Sequence, residues 1–216
     1  MGGIAKGQIV REIDALGGEM GKIADATGIQ FRMLNKSKGP AVWSPRSQND
    51  RDAYAESAKK TLLNQLNLDV FEDSLVDIIL NDSTSEPKKK IAAVIVSSGV
   101  KINCKCLIFC AGTFLRGLLH QGIKNKDGGR FNEKSSYKIT ENLEKIGFIS
   151  GRLKTGTPPR VDINTIDFSK TEDQLSDETP QPFSHQNKSI KNKLIPMYLT
   201  YTNSNTHQVL EQGFEL

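Results

Sequence analysis

An unbroken apolar run near the middle of the chain, Cys106-Leu-Ile-Phe-Cys-Ala111, constrains the fold more than any other feature. A strand with one face in water would alternate apolar and polar residues. Here both sets of alternating positions are apolar, which is typical of a strand buried on both faces. The run therefore predicts a strand in the middle of a sheet over residues 106–111.

The residues before this run predict helices first and strands afterwards, and the segments 91–97, 100–103 and 106–111 together predict a meander with short connections. Helices are predicted over residues 7–15, 20–27 and 48–66, the last with Asn49 and Asp50 as cap residues. Strands are predicted over residues 29–34, 68–71, 75–80, 91–97 and 100–103, with a polar loop over 35–46. This order of elements indicates a mixed α/β architecture.

The pattern after Gly112 is weaker. It predicts a loop over 125–130 and a capped helix over 135–146 that ends at Gly147. Residues 161–194 are polar and predict either a long connection or an extended β element. A strand is predicted over 195–202, and Asn203 or Ser204 is expected to cap a final helical turn or two.

Composition argues against a membrane span and a secretory signal. The chain has 216 residues and a net charge of +4. No apolar run approaches the roughly 18 residues that a transmembrane helix needs, and the first residues lack the apolar centre of a signal peptide. We therefore expect a cytoplasmic protein.

The three cysteines, Cys104, Cys106 and Cys110, lie within seven residues of one another. An odd, clustered number is a poor framework for disulfides. Closed zinc sites need four ligands, and neither a histidine nor a fourth cysteine is close in the sequence. We interpret the three as small core residues and predict no metal site.

A basic segment, GRLKTGTPPR over residues 151–160, is the first candidate ligand site. It differs from a P-loop because Thr157, rather than lysine, follows the second glycine and two prolines replace the helix. Arg152, Lys154 and Arg160 belong either to a solvated loop or to an anion-binding turn.

A second candidate is the glycine cluster that precedes the first helix. Gly2, Gly3, Lys6 and Gly7 predict either a simple turn or a place where a phosphate or cofactor approaches the backbone closely. The dinucleotide fingerprint G-x-G-x-x-G after a strand is missing from the chain.

Several long segments resemble, in order, one family of enzymes. The matching segments are GGIAKGQIVREIDALGG (2–18), GIQFRMLNKSKGPAVWSPRSQNDR (28–51), CAGTFLRGLLHQG (110–122), GGR (128–130) and GRLKTGTPPR (151–160). The chain resembles the tRNA uridine 5-carboxymethylaminomethyl modification enzymes, the MnmG or GidA family. The resemblance covers essentially the whole chain, whereas family members are much longer, so the chain is expected to be an internal fragment of the N-terminal half.

This resemblance implies a fold and a domain organisation. Residues 1–150 would be part of an FAD-binding, Rossmann-like domain of the glutathione-reductase type with a β-meander. Residues 151–216 would begin an inserted α/β domain on the NAD and tRNA side.

The resemblance also implies the chemistry. Family members use FAD, with NADH as reductant and methylene-tetrahydrofolate as one-carbon donor, to modify C5 of the wobble uridine of tRNA. They act with the GTPase partner MnmE and are expected to be homodimers. The two family cysteines lie outside this sequence, so we predict no catalytic residue here, negligible activity and weak FAD binding for the isolated chain.

Individual positions follow from the matching motifs. The resemblance assigns cofactor binding to Gly2, Gly3, Lys6, Gly7, Leu75, Ala111, Gly112, Thr113 and Ser136. On charge and motif position, contacts to tRNA or cofactor phosphates are expected from Arg46, Arg51, Arg130, Arg152, Lys154 and Arg160.

Two other functions remain open at this point. A flavin or NAD oxidoreductase acting on small molecules would share the Ala-Gly-Thr turn, but it gives no reason for the basic segment 151–160. A non-catalytic RNA-binding module would explain the basic charge alone, and it would bind tRNA without any need for flavin.

Overall fold

The computed structural model describes residues 1–81, 90–156 and 161–214. Its helices are α1 (Gly7–Ala15), α2 (Met20–Thr27), α3 (Arg51–Leu63), α4 (Lys138–Lys145) and α5 (Ser204–Glu211). Its strands are β1 (Gly28–Leu34), β2 (Ser44–Asn49), β3 (Leu75–Asn81), β4 (Lys90–Val96), β5 (Lys101–Asn103), β6 (Leu118–Gln121), β7 (Lys124–Asp127), β8 (Glu172–Gln174) and β9 (Met197–Leu199). The predicted α/β class is confirmed.

The described chain divides into two compact units. Unit 1 contains residues 1–70 and 161–202, and unit 2 contains residues 71–81, 90–156 and 203–214. The domain boundary at residue 150 that the family resemblance implies stays a prediction. Within the described residues, no helix is long and apolar enough to cross a membrane.

Unit 1 is built on the antiparallel hairpin β1–β2, against which α1 and α2 pack. Its core is a cluster of four buried apolar side chains: Val10, Ala24, Phe31 and Phe183. The predicted helices over 7–15 and 20–27 and the strand over 29–34 are confirmed. Helix α3 is confirmed as well, and the Asp50 carboxylate caps it by accepting hydrogen bonds from the Asp52 and Ala53 amides.

Two buried acids fasten the segment 183–187 to α1 and α2. The Asp25 carboxylate accepts hydrogen bonds from the Phe183 amide at 2.7 Å and the Ser184 amide at 2.9 Å, and from the Asn187 side chain at 2.8 Å. The Asp14 carboxylate accepts the His185 amide at 2.7 Å. Burial opposes ionisation of Asp14, but the His185 amide and the Ser184 hydroxyl outweigh it, so the pKa of Asp14 is lowered.

The loop predicted over 35–46 is confirmed over 35–43 and is wrong in its last three residues. Residues Ser44–Asn49 form strand β2, with Met33 paired to Pro45. Proline is tolerated here because Pro45 lies near the start of β2, and its carbonyl still accepts a hydrogen bond from the Gly3 amide at 2.9 Å. Helix α3 consequently begins at Arg51 rather than at residue 48.

Unit 2 contains a meander in the order β3-β4-β5, with antiparallel pairing throughout. The predicted strands over 75–80, 91–97 and 100–103 are confirmed, but the third strand of the meander is β3 rather than the predicted segment 106–111. The strand predicted over 68–71 is not formed, and Leu68 and Phe71 are exposed. The strand predicted over 106–111 is also wrong: the segment is irregular, and Ile108 is 88% exposed. A strand with two apolar faces needs sheet neighbours and cover, and none of the described strands pairs with this segment.

The predicted core role of the three cysteines depends on the strand over 106–111, which is not formed. Cys104 is half-buried, whereas Cys106 and Cys110 are exposed free thiols. The predicted core role is therefore wrong for Cys106 and Cys110. Among the described residues, His, Cys, Asp and Glu side chains form no group that would hold a metal ion.

The observed elements after Gly112 agree in part with the predicted ones. The loop predicted over 125–130 begins inside β7, which pairs with β6 around a turn that has Gly122 at a φ of 59°. Helix α4 is shorter than predicted, and Gly147 at a φ of 107° ends it as expected. The predicted strand over 195–202 is reduced to β9, and Asn203 caps α5 as expected, in a capping box with Thr206.

Candidate functional site

A concave cavity in unit 2 collects predicted site residues from four separate stretches of the chain. Its volume is about 600 Å³. It is lined by Asp73, Ser74, Leu75, Phe109, Cys110, Ala111, Gly112, Thr113, Phe114, Arg130, Ser136 and Ile139. Five of the predicted cofactor positions and one predicted phosphate contact, Arg130, thus line the same cavity.

The turn at 111–114 forms the glycine-containing part of this wall. Gly112 has a φ of 56°, and no atom lies within 4 Å of the place where a Cβ would stand. The Thr113 hydroxyl donates a hydrogen bond to the Gly129 carbonyl at 2.8 Å. The turn is therefore anchored on one side and leaves open space beside Gly112, as a site for close ligand approach requires.

A second stretch, residues 128–136, packs tightly against the first. The Ser136 amide donates to the Phe114 carbonyl at 2.8 Å, and the Arg116 amide donates to the Ser136 carbonyl at 2.9 Å. A Cβ on Gly129 would overlap the Phe114 ring, so only glycine permits this approach. These contacts fix Ser136 at the edge of the cavity.

Arg130 brings a positive charge to the cavity. Its guanidinium lies 5.8 Å from the centroid of the Phe114 ring and 3.5 Å from the Glu133 carboxylate. The side chain remains 56% exposed. Because a guanidinium has five N–H donors in a planar fork, Arg130 is suited to bind a phosphate.

Asp73 brings a negative charge to the cavity. Its carboxylate accepts hydrogen bonds from the Ser97 hydroxyl, from the Ser74 amide at 2.6 Å and from the Ser98 amide at 3.2 Å. The bonds from Ser97 and Ser98 hold the pKa of Asp73 well below its ordinary value. Asp73 is thus ionised at neutral pH and ties the β4–β5 turn to the start of β3.

The predicted glycine cluster lies in unit 1 and has a packing role there. A Cβ on Gly2 would stand 2.5 Å from the Pro45 carbonyl oxygen, and a Cβ on Gly7 would overlap the same residue. The Gly3 amide donates to the Pro45 carbonyl at 2.9 Å, and Lys6 is exposed at the start of α1. Close backbone packing accounts for Gly2 and Gly7 without a ligand, and cofactor binding by this cluster stays a prediction.

The remaining predicted cations are spread over both units. Arg46 is partly buried in unit 1 and donates to the Gln30 and Gln174 side-chain oxygens at 3.2 and 3.1 Å. Burial and the neighbouring Arg32 lower its pKa. Arg51 is exposed at the first turn of α3, and Arg152 and Lys154 are exposed in an irregular segment of unit 2, whereas Arg160 lies outside the described residues.

Sequence reasoning missed three parts of the cavity. Asp73 follows an irregular segment, and nothing in the sequence indicates that Ser97 and Ser98 surround it. The contact of Arg130 with Phe114 joins residues that are far apart in the sequence. Cys110 was interpreted as strand packing, although its position directly before Ala111 is the signal that it lines the cavity.

Comparison with known proteins identifies the family. The family model described as "Glucose inhibited division protein A" matches residues 1–216. The tRNA uridine 5-carboxymethylaminomethyl modification enzyme MnmG of Thermodesulfovibrio yellowstonii is 49% identical over 210 residues, which are 97% of this chain and 33% of that protein. The enzyme of the same name from Cytophaga hutchinsonii is 46% identical over 216 residues, all of this chain and 34% of that protein.

Solved structures agree with these matches. The Aquifex aeolicus GidA structure in crystal form I has a TM-score of 0.88 and 40% identity, and the match covers 99% of this chain and 36% of that one. Crystal form II gives a TM-score of 0.87 and 41% identity, with coverage of 98% and 35%. The chain spans about a third of the length of the curated relatives that it matches. The predicted resemblance is therefore confirmed, and the chain belongs to the glucose inhibited division protein A (GidA, MnmG) family.

Proposed function

We propose that this chain is part of an FAD-dependent tRNA-modifying enzyme and that the unit 2 cavity holds part of the FAD molecule. The observation that carries this proposal is the convergence of Leu75, Ala111, Gly112, Thr113 and Ser136 on one cavity. The family motifs alone assign these positions to the cofactor. FAD is the cofactor of this family, and the relatives are named for tRNA uridine modification.

The cavity offers FAD a set of contacts that fit a dinucleotide. Gly112 leaves room for the ligand beside the backbone, and Arg130 supplies a cation for a phosphate. The Ser136 hydroxyl lies at the edge and can donate or accept a hydrogen bond. When bound, FAD would supply the hydride and electron transfer of the reaction.

The wider proposal follows from the family. The enzyme would add a carboxymethylaminomethyl or aminomethyl group at C5 of the wobble uridine, with NADH as reductant and methylene-tetrahydrofolate as one-carbon donor. It would work in the cytoplasm as a homodimer with the GTPase partner MnmE. The exposed cations of the chain support an RNA substrate, because phosphate contacts dominate affinity for nucleic acids.

Two exposed cysteines provide a direct test of the cavity assignment. Cys110 lines the cavity and Cys106, four residues earlier, does not, although both thiols are exposed. The purified chain is alkylated with iodoacetamide with and without saturating FAD, and modification of each cysteine is followed by peptide mass spectrometry. FAD is expected to slow the alkylation of Cys110 several-fold and to leave Cys106 unchanged.

The comparison of the two thiols decides the outcome. If FAD leaves both rates unchanged, or slows both equally, it does not occupy this cavity and the assignment is wrong.

A further inference from the structure

The loop between β1 and β2 is a firmly held, exposed tip of unit 1. This 35–43 loop contains two 3₁₀ turns, Lys36–Lys38 and Pro40–Val42. The Asn35 side chain donates to the Val42 carbonyl at 3.2 Å, and the pairing of Leu34 with Ser44 closes the loop at its base. The loop therefore presents its side chains in a defined arrangement.

Trp43, the single tryptophan of the chain, has an orientation set by this loop. Its indole N–H donates to the Lys36 carbonyl at 3.2 Å, and its own carbonyl accepts the Gln8 side chain at 2.9 Å. The residue is nevertheless 39% exposed. An aromatic ring that is fixed at its polar edge and partly open to solvent is suited to stacking against a nucleobase.

The surroundings of Trp43 are basic. Residues 28–49 contain four cations, Arg32, Lys36, Lys38 and Arg46, and no acidic residue. Lys36 is paired with Asp177 at 3.0 Å, yet its side chain is 57% exposed, and Lys38 is exposed as well. A partner with phosphates next to bases is complementary to this combination of lysines and a ring.

We propose that the 35–43 loop is a binding site for single-stranded RNA, with Trp43 as the platform for one base and Lys36 and Lys38 as contacts to the adjoining phosphates. The inference rests on the proposed function, in which the substrate base lies in the single-stranded loop of a tRNA anticodon arm. Such loops are recognised through splayed bases and aromatic stacking rather than through a paired helix.

Because Trp43 is the only tryptophan, its fluorescence reports directly on this site. The purified chain is titrated with an RNA hairpin that has the length of an anticodon arm and a uridine-containing loop, and with a fully paired duplex of the same length. The hairpin is expected to quench the fluorescence, since a stacked base removes the indole from solvent. The duplex is expected to quench it much less at equal occupancy.

Substitutions separate stacking from general charge. The Trp43 variants have no tryptophan, so their binding is followed by the fluorescence anisotropy of a labelled hairpin. Trp43→Ala is expected to weaken hairpin binding by about 5- to 150-fold, which corresponds to the loss of one stacked base, whereas Trp43→Phe retains most of the affinity. Phe148→Ala, at an aromatic residue that is 63% exposed in unit 2, is the matched control and is expected to bind normally. Circular dichroism shows whether each variant is folded.

The phosphate contact proposed for Lys38 is tested by the salt dependence of hairpin affinity. Lys38→Ala is expected to lower the slope of log affinity against log salt by about 0.7, the value for one phosphate contact on a single strand. Lys170→Ala, in the same unit with a side chain that is 82% exposed and paired with Asp167, is expected to leave the slope unchanged.

The outcomes distinguish this inference from the proposed function. If the native chain binds the hairpin but neither the Trp43 nor the Lys38 variants change binding, the RNA lies elsewhere and only this inference fails. If the native chain binds no RNA, both this inference and the tRNA part of the proposed function are overturned, while protection of Cys110 by FAD still tests the cavity separately.

Discussion

The two units use the same kinds of residue for different purposes. In unit 1 the predicted glycines Gly2 and Gly7 meet Pro45, and the buried acids Asp14 and Asp25 bind the chain's own amides. In unit 2 the predicted positions surround an open cavity, and Gly112 faces empty space. A glycine or an acid in a family motif therefore does not reveal by itself whether it serves packing or a ligand. Gly112 combines open space with a position in the cavity wall, whereas Gly3 and Gly122 also have open space but are not among the residues that line this cavity.

The largest expected effect concerns the acid that holds unit 1 together. Asp25→Ala would leave the Phe183 and Ser184 amides and the Asn187 side chain without their acceptor in a buried site. We expect a loss of about 3 to 5 kcal/mol in the free energy of unfolding, since each unsatisfied buried donor costs about 1 to 3 kcal/mol. Urea denaturation measures this, with Asp69→Ala at an exposed acid of the same unit as the control.

A destabilisation below about 1 kcal/mol for Asp25→Ala would mean that segment 183–187 is held by other contacts. The contrast between buried acids that bind the chain's own amides in unit 1 and an open cavity in unit 2 would then lose its main support.

The next effect concerns the glycine cluster. Gly7→Ala places a methyl group against the Pro45 carbonyl and ring, and we expect it to lower the free energy of unfolding by about 1 to 3 kcal/mol through overpacking. Gly151→Ala, at a position with open space, is expected to be nearly neutral. If the two variants unfold at the same denaturant concentration, Gly7 has no packing role. Cofactor binding would then be the better explanation for glycine at this position.

A smaller effect is expected for the cation of the cavity. Arg130→Gln removes the charge proposed for a phosphate of FAD, and we expect the FAD dissociation constant to rise about fivefold, which corresponds to about 1 kcal/mol. Arg116→Gln is the matched control, because Arg116 belongs to the same unit and is similarly exposed but does not line the cavity. Equal dissociation constants for the two variants would mean that Arg130 does not contact FAD.

Local signals predicted much of the chain because local chemistry decides those elements. Helix α3 begins where the Asp50 carboxylate caps it, α4 ends at Gly147, and α5 begins at the capping box of Asn203. In each case the residues that determine the boundary lie within one turn of it. The same is true of the turn around Gly112, whose positive φ agrees with the glycine found there.

The failures have a common physical cause, which is dependence on distant partners. The run 106–111 satisfies every local requirement for a buried strand, but no described strand pairs with it. Strand β2 contains a proline and no apolar alternation, yet it forms because β1 pairs with it. The cavity likewise depends on contacts between residues such as Arg130 and Phe114, which periodicity does not show. The resemblance to family motifs predicted the cofactor positions that line the cavity. The residues that contact these positions, such as Phe114, can be identified only from the fold.

The central claim is that the space beside Gly112 is occupied by FAD, and a pair of equivalent glycines tests it most directly. Gly112 and Gly122 have φ values of 56° and 59°, and neither has an atom within 4 Å of a Cβ position, but only Gly112 lines the cavity. Leucine at either position therefore imposes a similar backbone strain. FAD affinity is measured by flavin fluorescence titration of the native chain, Gly112→Leu and Gly122→Leu. If FAD occupies this space, the dissociation constant is at least about tenfold higher for Gly112→Leu, the loss of about 1.4 kcal/mol, and close to native for Gly122→Leu. Native affinity in Gly112→Leu, or an equal loss in both variants, would contradict binding of FAD beside Gly112.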